Sequence, residues 1–138
     1  SFYLVGSKPM VIEKLVTKLK SNFKSINICG YRNGFIKSVE EKNKLIEDIK
    51  EKKPDYIFIA TGSPKQEYLM EEIYSVYPKT MLGLGGSFDI YSGIKKRAPK
   101  FILYLNLEFL YRYIFNNVKF KRILIDFKFF LMLIFRKL

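Results

Sequence analysis

Apolar and polar positions alternate along this chain on two different periods. Four short apolar runs, Phe2 to Val5, Ile26 to Cys29, Tyr56 to Ala60 and Met81 to Leu84, have the length and residue types of buried strands. Between them lie stretches whose apolar residues recur at helical spacing. Strands separated by helix-length segments predict a parallel sheet with crossover helices, an α/β, Rossmann-like arrangement. The helix starts agree with this. Ser7 is placed to cap a helix with Pro9 in its first turn, and Ser38 with Glu41 three residues on reads as a capping box. Ser63, with Pro64 at the first helical position and Gln66 three on, reads the same way.

In such sheets ligands bind beyond the carboxyl ends of the strands. Four loops therefore matter: Gly6 to Pro9, Gly30 to Phe35, Thr61 to Glu67 and Gly85 to Asp89. The segment from Thr61 through Gly62, Ser63, Pro64, Lys65 and Gln66 to Glu67 leaves a buried strand and opens a helix. Its free N–H groups suit a phosphate, with Lys65 adding charge; a plain capping box accounts for the same residues. Gly85, Gly86, Ser87, Phe88 and Asp89 follow the last strand, where glycine permits close approach and Asp89 can accept hydrogen bonds from a ribose or sugar. A tight turn accounts for those glycines equally well. Their spacing fits neither a Walker A loop nor the dinucleotide fingerprint. Gly34 and Phe35, with Tyr31, form a loop able to stack a base or to lid the core.

Charge changes the picture at the C-terminus. The 138 residues carry a formal charge of +12. Residues 1–94 hold 14 basic and 11 acidic groups, and residues 95–138 hold 11 and 2. The excess is thus local and points to an anionic partner. We therefore expect a Rossmann-like domain over 1–97 and a basic helical appendage over 98–138. Read as a helix, 119–138 gathers Phe120, Ile123, Leu124, Phe127, Leu131, Ile134, Phe135 and Leu138 within an arc of about 120°. Lys119, Arg122, Lys137, Lys121 and Lys128 flank that arc. This pattern suits a helix lying on an anionic membrane surface, or one packed against protein. Its longest uncharged stretch, Phe129 to Phe135, is far short of the ~20 residues a span needs. Histidine is absent and Cys29 is the one cysteine, so zinc sites and Cys/His nucleophile pairs are excluded.

The order of motifs resembles the WecG/TagA/CpsF family of bacterial glycosyltransferases. The resemblance rests on Tyr3-Leu4-Val5-Gly6, Gly30 to Gly34, Pro54-Asp55, Gly62-Ser63-Pro64-Lys65-Gln66-Glu67, Gly83-Leu84-Gly85-Gly86-Ser87-Phe88-Asp89, Arg97-Ala98-Pro99 and Glu108-Phe109-Leu110-Tyr111-Arg112. It implies transfer of an N-acetylmannosamine-type sugar from a UDP donor to an undecaprenyl-diphosphate-linked acceptor. The setting would be teichoic acid or other surface-polysaccharide synthesis, peripherally at the cytoplasmic membrane face. By the same resemblance residues 62–67 and 85–89 hold the donor, Arg112 and Arg122 meet its diphosphate, and Arg97 is a further substrate-binding residue. Gln66 positions the sugar or its phosphate, no metal or other cofactor is expected, and self-association is favoured. Members usually carry an N-terminal half ahead of the strand at Phe2, which supplies the catalytic base. The chain opens on Ser1 and a strand, so a longer parent is expected. Two other readings use the same residues: a non-catalytic membrane-bound scaffold, and a nucleic-acid-binding module built on the basic tail. Contiguous large aliphatics in that tail argue against the last.

Overall fold

The computed structural model describes residues 1–105 together with 111, 128, 131 and 132. The chain divides into two compact units, Ser1–Lys96 and Arg97–Leu138. In the first, β1 (Phe2–Gly6), α1 (Pro9–Asn22), β2 (Ile28–Arg32), α2 (Val39–Lys52), β3 (Tyr56–Ala60), α3 (Lys65–Val76) and β4 (Thr80–Gly83) alternate, followed by the short α4 (Ser87–Tyr91). The four strands form one all-parallel sheet in the order β2-β1-β3-β4. In the second unit, α5 (Lys100–Tyr104) is described, with Phe101, Tyr104 and Leu105 exposed. The expected helix over 119–138 lies outside the described residues. No helix among the described residues is long and apolar enough to cross a membrane.

The two-residue period of the central strands sorts the core onto two faces. Tyr3, Val5, Ile57 and Ile59 point to one face, where Leu45 and Ile49 of α2 and Leu69 and Ile73 of α3 cover them. Leu4 and Ala60 point to the other, under Val11, Ile12, Leu15 and Val16 of α1 and Phe88 of α4. Capping sets where α2 begins: the Ser38 hydroxyl accepts the Glu41 N–H at 3.2 Å, as its sequence predicts. Glu40 and Glu41 stand in the first turn and Lys50 and Lys52 in the last, matching the helix dipole.

Three local expectations are corrected. The second strand runs over Ile28–Arg32, because Ile26 is held in a turn by its N–H bond to the Phe23 carbonyl, and Gly30, Tyr31 and Arg32 pair with Tyr3, Leu4 and Val5. β2 is an edge strand, so its apolar run marks its position poorly. Ser7 does not cap α1; Lys8 occupies that position, without a side-chain cap, and Pro9 follows it. Ser63 and Gln66 form no capping box, since Pro64 takes the cap position and the Gln66 side chain is used elsewhere.

Gly30 has a packing reason. A Cβ there would stand 2.4 Å from Cε2 of Tyr3. That ring is buried and cannot swing aside, because its hydroxyl donates to Asp48, which also pairs with Lys52 at 2.8 Å. Burial pushes the Tyr3 phenol well above its ordinary range, with the bond to Asp48 adding to the rise. Gly30→Ala is therefore expected to overpack this contact, lowering stability by about 2 kcal/mol and the melting temperature by about 10 °C. Thermal unfolding followed by circular dichroism checks it.

Candidate active site

In the order β2-β1-β3-β4 the chain first moves one way from β1 and then returns to the other side, so the strand order reverses between β1 and β3. Helices on opposite faces diverge there and leave a crevice at the carboxyl ends of the strands. The structure has a cleft of ≈ 300 Å³ at that place, lined by Ser7, Lys8, Val11, Gly34, Phe35, Ala60, Thr61, Asp89, Ile94 and Lys95. All these residues belong to the first unit.

Ser7 ties the cleft together. It has φ 58°, a left-handed conformation that non-glycine residues seldom adopt and that concentrates at functional sites. Its N–H donates to the Ala60 carbonyl at 3.1 Å, and its carbonyl accepts the Gly34 N–H at 2.8 Å. Its hydroxyl donates to Asp89 Oδ1. Lys95 closes the far side of that carboxylate, with Nζ 2.6 Å from Oδ2 and its backbone N–H 2.9 Å from the Asp89 carbonyl. Burial by itself would raise the Asp89 carboxyl, but the hydrogen bonds from Lys95 and Ser7 outweigh it. The group is held below the usual carboxylate range. Asp89 is thus an ionised acceptor fixed in orientation, with Lys8 and Lys95 as cations beside it. Phe35 is half exposed on the cleft wall, its N–H bonded to the Asn33 side chain at 3.0 Å.

A second cluster stands beside this cleft, around Gln66, which is buried although polar. Its Oε1 accepts the Gly85 N–H at 3.0 Å and its Nε2 donates to Glu67 Oε1 at 2.8 Å. The amide therefore stitches the start of α3 to the turn after β4. Gly83 leaves it room, since a Cβ there would come within 2.8 Å of Gln66 Nε2. The bond from Gln66 holds the Glu67 carboxyl below its ordinary value. Glu67 and Asp89 are the two acids of these loops, and both are depressed.

The residues proposed from sequence do not all come together. Gly34, Phe35 and Asp89 meet in the cleft. Gly62, Pro64, Lys65, Gln66, Glu67, Gly85 and Gly86 gather in the turns around Gln66, and Ser87 is the exposed first residue of α4. Phe88 turns inward, 4% exposed, into the core beneath α1. Arg97 is exposed and belongs to the second unit. Arg112 and Arg122 lie outside the described residues. Tyr31 is in β2 and not in the loop. Sequence reasoning placed Ser7 and Thr61 in ligand-side loops without giving their side chains a contact there, and it missed Lys95 as a cleft residue. Ser7 looked like a helix cap, and Lys95 looked like part of the basic tail.

Residues 1–138 match the family model of the glycosyl transferase WecG/TagA/CpsF family over their whole length. The chain belongs to this family. It is 40% identical over 123 residues to an N-acetylglucosaminyldiphosphoundecaprenol N-acetyl-beta-D-mannosaminyltransferase of Bacillus subtilis (strain 168). It is 34% identical over 123 residues to the enzyme of that name from Bacillus spizizenii (strain ATCC 23059 / NRRL B-14472 / W23). Each match covers 88% of this chain and 47% of the relative, so the chain spans about half the length of the curated relatives it matches. The WecG/TagA/CpsF match and the cleft at the strand reversal concern the same residues, since the matched span includes every cleft residue.

Proposed function

We propose that this chain is the donor-binding part of a glycosyltransferase that moves an N-acetylmannosamine-type sugar from a UDP donor to an undecaprenyl-diphosphate-linked acceptor in cell-surface polysaccharide or teichoic acid synthesis. The observation that carries this reading is the Ser7–Asp89–Lys95 arrangement in the cleft where the strand order reverses. A fixed carboxylate accepts hydroxyls of a sugar or ribose, while Lys8 and Lys95 offset the charge of a diphosphate. Membership of the family and the names of the two relatives support the choice of sugar and acceptor.

In the transfer, an acceptor hydroxyl attacks the anomeric carbon, the bond from that carbon to the diphosphate oxygen breaks, and UDP leaves. The acceptor proton passes to a general base. The basic residues of 97–138 supply attraction to an anionic lipid surface, which supports a peripheral position on the cytoplasmic face of the membrane.

Binding is the direct test, because turnover needs the base as well. Calorimetric titration of the chain is expected to show UDP-selective binding, with ADP and a short oligonucleotide giving no comparable heat and with EDTA changing nothing. Tight, salt-sensitive binding of the oligonucleotide without UDP binding would overturn the transferase reading. Loss of UDP binding in EDTA would overturn the metal-independent mechanism.

A further inference from the structure

One cleft residue carries a buried hydroxyl with no partner among the described residues. Thr61 follows the last residue of β3 and lines the cleft beside Gly34 and Ala60. Among the described residues, its Oγ1 is the single buried side-chain nitrogen or oxygen without a hydrogen-bond partner. Buried hydroxyls are nearly always paired, since losing water without gaining a partner is unfavourable. Valine has the same shape and branching and would fill this place at the end of a strand without that penalty. The hydroxyl therefore has no role in the fold as it stands.

The surroundings show where a partner would come from. The Thr61 methyl, Cγ2, lies 3.2 Å from where a Cβ on Gly34 would stand, and Gly34 is part of the cleft wall. A turn of about 120° about χ1 moves between staggered wells and carries the hydroxyl toward the methyl's position. A ligand oxygen in the cleft would draw it there, and binding would then also remove the penalty of the unpaired state.

We propose that Thr61 is a ligand-binding residue whose hydroxyl turns to donate a hydrogen bond to an oxygen of the nucleotide held in the cleft. This rests on the donor-site reading above and gives the Thr61 side chain a contact within that site. The accepting oxygen belongs either to the nucleoside or to the diphosphate, and the choice of titrant tells these apart.

The experiment compares wild type, Thr61→Val and Thr61→Ser by calorimetric titration with UDP, UMP and uridine, alongside thermal melts. We expect Thr61→Val to melt at the wild-type temperature or above and to bind UDP about tenfold more weakly, with Thr61→Ser close to wild type. A loss already present with uridine assigns the bond to the nucleoside, and a loss confined to the phosphorylated ligands assigns it to them. Should Thr61→Val fold poorly, Thr61→Ala against Thr61→Ser gives the same comparison. Equal affinity of wild type and the hydroxyl-free variant overturns the Thr61 contact and leaves the donor site standing. Absence of UDP binding by wild type overturns the donor site and the contact with it.

Discussion

Replacing Gly6 by alanine is expected to lower stability by about 3 kcal/mol or more, and with it the melting temperature by about 15 °C or more. Gly6 ends β1 with φ 147°, and a Cβ there would lie 2.5 Å from the Ala60 carbonyl oxygen and 2.6 Å from its carbon. Those atoms are backbone and cannot rotate away. They belong to the end of a central strand, paired in register with Gly6, and the oxygen already accepts the Ser7 N–H. Relief is available only by parting β1 from β3, which opens the floor of the cleft. Donor binding should therefore fall together with stability. Gly62→Ala is the control, because φ there is 87° but nothing stands within 4 Å of a new Cβ. It carries conformational strain alone and should cost about 1 kcal/mol. Equal melting temperatures for the two variants would show that contact with Ala60 is not what requires glycine.

The second large effect is on binding. Asp89→Asn is expected to weaken UDP-sugar binding at least about tenfold while costing no more than about 1 kcal/mol of stability. The amide keeps the size of the carboxylate and an oxygen for the Ser7 hydroxyl. It then turns an N–H₂ toward the Lys95 ammonium, so a donor faces a donor. Lys95 is half exposed and can move into water, which keeps the stability cost small. The cleft loses a fixed anion that no rearrangement replaces.

The pH dependence has a definite sign. A carboxylate depressed in the folded state contributes stability above its unfolded pKa of about 3.9, and that contribution is lost as pH falls through the lower folded value. Wild-type protein should thus lose this increment only below about pH 4, and Asp89→Asn should lack it at every pH. Melting curves from pH 7 to pH 3 measure the difference. Unchanged donor affinity in Asp89→Asn would move the donor away from this cleft and toward the turns around Gln66.

The parts legible in sequence are those whose cause is local. Tyr56 to Ala60 is read at its true bounds because a central parallel strand is buried on both faces, so nearly every position is apolar. The Ser38–Glu41 cap is legible because both partners lie within one helical turn. The four loops at the carboxyl ends follow from the alternation of strand and helix, and the cleft draws on each of them. Where a strand is at the edge, as β2 is, apolarity no longer marks its limits and the predicted run slips by two residues at its start.

Ser7, Gln66 and Phe88 show what local pattern leaves open. Serine before a proline-opened helix looks like a cap, and its actual use is a bond to Asp89, 82 residues away. Gln66 has the spacing of a capping box and spends its oxygen on Gly85, 19 residues on. Phe88 sits in a glycine-rich turn, yet the short α4 faces it into the core. The chain's own periodicity thus determined a parallel α/β sheet, the order of its elements and the end at which a ligand would sit, because strand and helix are decided within a few residues. Only the tertiary structure decided which side chains line the cleft there. Those contacts depend on crossovers bringing distant segments to one crevice, and no short-range pattern encodes which partner will be there.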